Sequence, residues 1–191
     1  MFQCIIAALK AEAQPLINYY KLDQDCSYDY PVYKGEGLAI VCTGVGRENI
    51  RKVLLHFCSS VTLPQNSQII NIGIAGGKKD DCSIGQCFII NSVADDTSDV
   101  IYELNNIFET KILYQNITTV TEPVVNGGNK YSSLVDMEAH AICSIIDNFK
   151  LFLIFEPFAS IILTFSSLWL MRYVDGIFVY IMIGSAILMY I

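Results

Sequence analysis

Residues 69–77 read IINIGIAGG: a short apolar strand, Ile69–Ile72, runs into the glycine-rich turn Gly73–Gly77. Upstream, the apolar strand Leu38–Cys42 likewise ends in a glycine-containing turn, Thr43–Arg47. Strands that end in such turns, with helices between them, are typical of an α/β sheet whose ligand crevice lies at the carboxyl ends of the strands. The sequence therefore predicts an α/β fold with a binding site beside these two turns.

The flanking segments predict further strands and helices. Cys4–Ala8 is a short apolar run that leads into a helix beginning near Lys10. Val32–Lys34 and the strand after it form a hairpin through Gly35–Gly37. The remaining predicted elements are a helix after the Thr43–Arg47 turn, strands over Gln86–Ala94 and Thr118–Val125, and a helix over Ala139–Phe149.

The composition excludes two classes of protein. The chain has 191 residues, 12 Lys and Arg against 19 Asp and Glu, a net charge of −7 and 53% hydrophobic residues. This length predicts one domain that is large enough to bury a core. A chain this acidic cannot neutralise a row of phosphates, so a nucleic-acid binder is excluded. A chain this apolar can offset the entropy cost of ordering, so disorder is excluded as well.

The charged residues are unevenly distributed along the chain. Residues 151–191 contain three of them, Glu156, Arg172 and Asp175, and all the others lie in residues 1–150. We therefore expect a domain over residues 1–150 and a highly apolar tail over residues 151–191.

The cysteines and the N-terminus bear on the cellular compartment. The seven cysteines are scattered, mostly within apolar runs, and predict reduced, buried thiols rather than a disulfide framework. Their spacing predicts no metal site, and no cofactor is expected. The segment Met1–Ile6 lacks a basic region and its apolar run ends at Lys10, which predicts no signal peptide. The first 150 residues are expected to be cytoplasmic.

Two segments near the predicted crevice contain candidate site residues. Glu12 lies just past the first strand, where we expect no capping role; it is either a solvated acid on a helix face or a site residue. Gly44 and Gly46 would let backbone N–H groups approach a water molecule, an anion or a sugar hydroxyl, although a tight turn explains them equally well.

A third candidate segment is the junction before the last predicted helix. Asp136 and Glu138 flank Met137, so one carboxylate either binds a diol or caps the helix. His56 and His140 are interpreted as surface or packing residues, because their neighbours offer no nucleophile.

Five segments occur together in a recognisable order: Ala8–Glu12, Thr43–Gly46, Asn71–Gly77, Ile84–Ile90 and Val135–Ala139. Their order and spacing resemble the nucleoside phosphorylase superfamily, and among its members most of all the hydrolytic 5′-methylthioadenosine/S-adenosylhomocysteine nucleosidases. The most specific pieces are the Ala-Gly-Gly turn and the Asp-Met-Glu-Ala junction. The resemblance covers residues 1–150 and implies a three-layer α/β fold with a mixed central sheet that is incomplete at the C-terminus.

The resemblance also implies a reaction, the hydrolysis of a purine nucleoside at its N-glycosidic bond through an oxocarbenium-like transition state. One carboxylate would activate water, a second would bind the ribose 2′ and 3′ hydroxyls, and an acid would protonate the purine. By resemblance Glu12 is the catalytic, water-activating residue, Glu138 binds the diol and Met137 packs on the ribose. The family implies a homodimer, for which the apolar helix face Ile50–Phe57 is suited. The implied substrate-binding residues are Gly44, Gly46, Ala75, Gly76, Met137 and Glu138.

A phosphate-dependent nucleoside phosphorylase is the alternative enzyme. It would need cations to hold phosphate where this chain has Glu12. Arg47 and Lys52 could supply charge, but neither lies in an evident anion-binding nest. Hydrolysis is therefore favoured.

The chain departs from the family at three places. Ile74 stands where the family's turn commonly has a small hydroxyl residue, and Val125 stands where the nucleosidases carry a stacking Phe. The family's Ser-Asp, which protonates the purine, has no counterpart, since Glu156 comes too early and Asp175 too late. No leaving-group acid is assigned, so the alternative from another class is a catalytically inactive paralogue, truncated or membrane-associated.

The apolar tail is open to three interpretations. Leu151–Met171 is long enough for a transmembrane helix, which needs about 20 residues, whereas Ile177–Ile191 is short for one. An appended membrane hairpin is thus one interpretation. The second is the family's last strand and helix in a diverged, apolar form. The third is an altered C-terminus, such as a shifted reading frame would produce.

Overall fold

The computed structural model describes residues 2–61, 63–64, 67–78, 81–104, 111–124, 130–131, 134–148 and 186–188. Within these residues the chain forms two β-sheets and three α-helices. The helices are α1 (Lys10–Tyr20), α2 (Arg47–Ser60) and α3 (Ala139–Asn148).

The strands of the first sheet are β1 (Gln3–Ala7), β2 (Asp23–Gln24), β3 (Val32–Gly35), β4 (Leu38–Cys42), β5 (Gln68–Ala75) and β10 (Ala186–Leu188). They lie in the order β10-β5-β1-β4-β3-β2. The central strand β1 runs parallel to β4 and β5, and Ile5 lies level with Ile40 and Ile70. Nearly continuous apolar runs form these strands because a parallel sheet is buried on both faces. The predicted hairpin is confirmed, since β3 and β4 pair antiparallel.

The strands of the second sheet are β6 (Phe88–Asp95), β7 (Tyr102–Glu103), β8 (Leu113–Thr119) and β9 (Leu134–Asp136). They lie in the order β7-β6-β8-β9, with β6, β8 and β9 parallel and β7 antiparallel to β6. The carboxyl ends of β6, β8 and β9 therefore meet at one edge of this sheet.

Helices cover both faces of the first sheet. Along β1, Cys4 and Ile6 pack in one buried cluster with residues of α2 and α3, whereas Ile5 and Ala7 pack in another with residues of α1. This alternation follows from the strand period of two residues. The predicted three-layer α/β fold is confirmed, and its sheet structure is mixed.

The apolar face of α2 packs inside the chain. Ile50, Leu54 and Phe57 are fully buried and share a cluster with Ile142 of α3. The expectation that this face suits dimerisation is therefore wrong. Helical periodicity shows that a face is apolar, but the same pattern serves a partner helix of the same chain and one of another subunit.

One backbone bridge joins the two sheets at the end of β5. The N–H of Gly76 donates to the carbonyl oxygen of Val135 at 2.8 Å, and the N–H of Val135 donates to that of Gly76 at 2.9 Å. A Cβ on Gly76 would lie 3.0 Å from Cγ2 of Val135, so a larger residue here would crowd that side chain. The bridge fixes the start of α3 against the carboxyl end of β5.

Two predicted boundaries are wrong. β5 continues through Gly73 to Ala75, so that part of the predicted turn is strand. The strand predicted over Thr118–Val125 lies upstream as β8, because pairing with β6 selects Leu113–Thr119 despite its polar residues. The strand preference of β-branched residues is a local property and does not predict which segments pair.

Three residues of the predicted tail join the first sheet. β10 pairs in parallel with Gly73–Ala75 of β5. The remainder of residues 149–191 lies outside the described part of the chain, and with it Glu156 and Asp175; Val125 lies outside it as well. Among the described residues, no helix combines the length and apolar character that crossing a membrane requires.

Candidate active site

A cavity lies between the carboxyl ends of β1 and β5 and the start of α3. The empty space within it, part of which is open to solvent, is about 630 Å³. Its polar lining residues are Glu12, Asn71, Asp136 and Glu138, and most of the others are aliphatic. The fold thus brings three carboxyl groups from two distant segments into one cavity.

Glu12 is held at the N-terminus of α1 by local backbone contacts. Its Oε2 accepts a hydrogen bond from the N–H of Leu9 at 2.8 Å, and its own N–H donates to the carbonyl oxygen of Leu9 at 3.1 Å. The side chain is 8% exposed. Burial raises the pKa of Glu12, while hydrogen bonds from the backbone of Leu9, Ile74 and Ala8 act in the opposite direction. The alternative of a solvated acid is wrong, and so is the expectation of no capping role.

Glu138 lies across the cavity and is held by two backbone N–H groups. Its Oε1 accepts from the N–H of Gly46 at 2.6 Å, and its Oε2 accepts from that of Met137 at 3.2 Å. Burial raises the pKa of Glu138 to about 7, the N–H of Gly46 opposes this, and the carboxylates of Asp136 and Glu12 add to it. Glu138 therefore titrates in the physiological range.

Asp136 caps the helix that carries Glu138. Its carboxylate accepts hydrogen bonds from the hydroxyl of Thr119 at 2.7 Å and from the N–H groups of Ala139 at 2.7 Å and Glu138 at 3.3 Å. Burial raises the pKa of Asp136, and these three hydrogen bonds oppose the change. Of the two roles predicted for this junction, capping falls to Asp136, while Glu138 faces the cavity without being the cap.

The turn after β4 requires both of its glycines. Gly44 and Gly46 have φ angles of +80° and +94°, which L side chains rarely adopt. The N–H of Gly44 donates to the carbonyl oxygen of Ala8 at 2.8 Å, and that of Gly46 holds Glu138. Neither glycine is among the lining residues, so each acts on the cavity through a residue that is. Their predicted place beside the attacking water stays a prediction.

Ala75, Gly76 and Met137 lie next to the cavity and are not among its lining residues. Ala75 is 2% exposed and belongs to the apolar cluster of the second sheet. Gly76 forms the bridge to Val135, and Met137 contributes its backbone N–H to Glu138. The predicted substrate-binding roles of these three residues stay predictions.

One lining residue of β5 has a sequence signal that points to it directly. Asn71 is a polar residue inside the apolar run of β5, which is an unusual place for a side-chain amide. A Cβ on Gly73 would meet nothing within 4 Å, so this glycine leaves open space at the cavity wall. Ile74, where the family commonly has a hydroxyl residue, also lines the cavity.

Arg47, the first residue of α2, is held by the second sheet through both of its terminal nitrogens. Its Nη1 lies 2.7 Å from Oδ2 of Asp95, and its Nη2 lies 2.8 Å from Oδ1 of Asp96 and 3.1 Å from the carbonyl oxygen of Thr119. The side chain is 17% exposed. Lys52 is exposed on the surface of α2. Neither cation is among the cavity's lining residues.

The two histidines lie outside the cavity lining. His140 is buried; its Nδ1 is 3.2 Å from Oδ2 of Asp95, and its ring packs on Tyr102 with centroids 5.0 Å apart. His56 is exposed and contacts the hydroxyl of Tyr30 at 3.2 Å. Within the part of the chain that the structure describes, no group of His, Cys, Asp and Glu residues could hold a metal ion.

The fold is similar to those of solved 5′-methylthioadenosine/S-adenosylhomocysteine nucleosidases. A variant of the Chlamydia trachomatis enzyme bound to 5′-methylthioadenosine has a TM-score of 0.65 at 21% identity, over 81% of this chain and 78% of that one. The S. pneumoniae enzyme with a transition-state inhibitor has a TM-score of 0.68 at 17% identity, over 81% and 82%. The Neisseria meningitidis enzyme with methylthio-immucillin-A has a TM-score of 0.63 at 18% identity, over 80% and 83%. This chain therefore has the nucleosidase fold, as the sequence resemblance predicts.

The sequence comparisons add one match of a different kind. A family of transmembrane helical domains matches residues 140–191. No curated protein sequence matches the chain. The first residues of the matched segment belong to α3, where Ala141, Ile142 and Ile145 are buried against the first sheet's core cluster.

Proposed function

We propose that the chain is a nucleosidase that hydrolyses the N-glycosidic bond of a purine nucleoside, 5′-methylthioadenosine or a close relative. The observation that carries the proposal is the convergence of Glu12 and Glu138 on one cavity, in a fold similar to that of nucleosidases solved with 5′-methylthioadenosine and with inhibitors. The two residues are far apart in sequence, and glutamates are rarely buried, so their meeting at one cavity favours a shared function.

Glu12 is the general base in this proposal. Its carboxylate is buried, its position is fixed by the N–H of Leu9, and its raised pKa makes it a stronger base toward water than a solvated glutamate. As the glycosidic bond lengthens, positive charge develops on the ribose. The carboxylates of Glu12, Asp136 and Glu138 line the cavity, and their negative charge favours that positive charge.

Glu138 binds the ribose diol. The N–H of Gly46 uses one lone pair of Oε1, and the N–H of Met137 uses one lone pair of Oε2. The other lone pair of each oxygen can accept a hydrogen bond from the 2′ or the 3′ hydroxyl. Such binding needs the ionised carboxylate, since a protonated Glu138 would keep only part of its acceptor capacity.

Hydrolysis is favoured over phosphorolysis by the charges around the cavity. Phosphate would meet three carboxyl groups there, and like charges at close range are unfavourable. Arg47, one of the two candidate cations of the phosphorylase alternative, is already paired with Asp95 and Asp96. A phosphorylase would have to break these pairs before it could bind its co-substrate.

Protonation of the departing base is the weak point of the proposed reaction. β10 lies beside β5, and its residues Ala186, Ile187 and Leu188 provide no acid. If no other residue supplies the proton, the expected rate is lower than that of an enzyme with a general acid, by about 10²–10⁴-fold. This absence of an acid on β10 favours a second candidate, a paralogue that binds the nucleoside without cleaving it.

Membrane association through residues 151–191 is proposed as the alternative to a cytoplasmic location, on the match to transmembrane helical domains. The buried face of α3 assigns the start of that match to the folded domain, so an anchor would have to begin after Asn148. A homodimer is proposed from the family resemblance, with a surface other than the buried face of α2.

The proposal is tested by incubating the purified full chain with 5′-methylthioadenosine and measuring released adenine by chromatography. We expect release in phosphate-free buffer and no stimulation by added phosphate. Release that requires phosphate would instead identify a phosphorylase. Equilibrium binding without any release, in buffer or in detergent, would contradict the hydrolase and support the non-catalytic paralogue.

A further inference from the structure

Arg47 connects the two halves of the candidate site. It begins α2 directly after Gly46, on the side of the molecule formed by the first sheet. Its guanidinium reaches the carboxyl ends of β6 and β8, where it contacts Asp95 at 2.7 Å, Asp96 at 2.8 Å and the carbonyl oxygen of Thr119 at 3.1 Å. We call these four residues the Arg47 clamp.

The clamp continues to the helix that carries Glu138. The hydroxyl of Thr119 donates to Asp136 at 2.7 Å and accepts from the N–H of His140 at 2.9 Å. Asp136 in turn caps α3 through the N–H of Ala139. Through Thr119, the guanidinium and the start of α3 are therefore held by the same residue of β8.

The contacts are of the strong kind. A guanidinium offers its N–H groups in a planar fork, and each bond to a carboxylate is charge-assisted. The side chain of Asp95 is 5% exposed, so solvent screens the pair little. Burial alone would raise the pKa of Asp95, but Arg47 and Thr97 hold it below its ordinary value. One group of the clamp is unsatisfied: Nε of Arg47 is buried with no hydrogen-bond partner, which lowers the net stabilisation.

We propose that Arg47 is a positioning residue: by fixing the first turn of α2 against β6 and β8, it holds the Gly46 N–H on Glu138 and so sets where Glu138 stands relative to Glu12. Its effect on turnover rests on the proposed nucleosidase function, while its effect on Glu138 does not. Arg47 does not line the cavity and touches no reacting atom, so it acts through the residues that it holds: Gly46 beside it in the chain, and Thr119 against the start of α3.

The first test measures Glu138 directly. Protein labelled with ¹³C at the glutamate carboxyl carbons is titrated by NMR, and the Glu138 signal is assigned from its absence in Glu138→Gln. In Arg47→Met we expect the Gly46 N–H to leave Glu138, which then loses a hydrogen bond to its charged form; the lost positive charge near Asp136 acts in the same direction, so the pKa of Glu138 should rise by about 0.5 or more. The matched control is Arg51→Met, one turn further along α2. The Arg51 side chain is 52% exposed, and its ion pair with Glu48 is long, at 3.6 Å. An unchanged Glu138 titration in Arg47→Met overturns the proposal.

The second test covers turnover. In Arg47→Met the acid limb of the pH profile of kcat/KM should move to higher pH together with the NMR titration, and kcat/KM at pH 7 should fall by about tenfold. A fall in activity with an unmoved pH profile would indicate a merely structural role and overturn the proposal. If the wild type releases no base while the Glu138 titration still moves, the clamp stands and the nucleosidase function fails.

A milder variant serves if Arg47→Met does not fold. Arg47→Lys keeps the charge but cannot bridge Asp95 and Thr119 with a planar fork. We expect an intermediate rise in the pKa of Glu138. If the Arg47→Lys protein folds and its Glu138 titrates as in the wild type, the planar guanidinium does not determine the contact between the Gly46 N–H and Glu138.

Discussion

The two carboxylates of the candidate site are held in opposite ways. Glu12 is bound by the N–H of Leu9, three residues away, within the first turn of α1. Glu138 is bound by the N–H of Gly46, 92 residues away, across the boundary between the two sheets. The first contact forms wherever the helix forms, whereas the second exists only when the whole domain is assembled.

Because of this difference, we expect the two glutamates to respond differently to mutations elsewhere in the fold. The Glu12 position should be insensitive to changes in the second sheet. The Glu138 position, its pKa and its hydrogen bonds should respond to any change that moves α2 relative to α3. Four measurements test the comparison.

The largest expected effect is the loss of activity on removing either carboxylate. Glu12→Gln should lower kcat by about 10²–10⁴-fold, since it removes the general base while Gln can still accept the Leu9 N–H. Glu138→Gln should act mainly on KM, because the diol loses an ionised acceptor. Steady-state kinetics of adenine release provides the measurement. The exposed turn residue Glu36 offers the control Glu36→Gln. If kcat/KM falls by less than tenfold in both site variants, the assignment is refuted.

The next effect is the pH dependence of the wild-type enzyme. Glu138 must be ionised to bind the diol, and burial raises its pKa to about 7. Below that value kcat/KM should fall by about tenfold per pH unit, and above it kcat/KM should level off. Glu138→Gln should abolish this limb while it retains residual turnover. A wild-type profile that is flat from pH 5.5 to 8 would contradict an ionised Glu138 in the active form.

A smaller effect is expected on stability at the turn before α2. Gly46 has φ +94° and ψ 158°, a conformation that costs an L side chain about 1–3 kcal/mol. Gly46→Ala should lower the free energy of unfolding by that amount, although a Cβ would meet nothing within 4 Å. Gly73→Ala is the matched control, since its Cβ also has open space and no positive φ is involved. Urea denaturation compares the two, and equal stabilities would remove the strain argument.

The smallest effect is a gain in stability on removing a charge. The folded-state pKa of Glu138 is raised from 4.5 to about 7, so its ionisation costs folding free energy as the pH rises through this window, and the cost is complete above it. Glu138→Gln should therefore be more stable than the wild type at pH 8, by about 1–2 kcal/mol after allowance for partial exposure. At pH 4 the difference should vanish. Thermal unfolding at the two pH values measures it, and a variant that is less stable at pH 8 would contradict the burial argument.

The parts of the site that depend on neighbours in sequence could be predicted from the sequence. The strand before Glu12, the turn with Gly44 and Gly46, and the junction at Glu138 all have short-range signals in apolar runs and glycines. The ion pair between Arg47 and Asp95 could not be predicted from the sequence alone, because it depends on how a strand far along the chain is placed in the fold.

Strand limits failed for the same reason. β5 extends through Gly73 because β10 pairs with Gly73–Ala75, and β8 lies upstream of the Thr118–Val125 prediction because β6 selects its register. Likewise the apolar stripe of α2 predicts a partner, and only the fold identifies that partner as α3. Pairing and packing are long-range properties, which composition and periodicity do not encode.

The bridge between Gly76 and Val135 has a consequence for biosynthesis. A ribosome that adds about 5–20 residues per second needs about 3–12 s to pass from one of these residues to the other. During that interval a nascent chain can complete β1, α1 and the parallel strands, with Glu12 already placed, while the opposite wall of the cavity has not yet been translated. The open carboxyl edge of β5 is then the surface that a chaperone would have to shield.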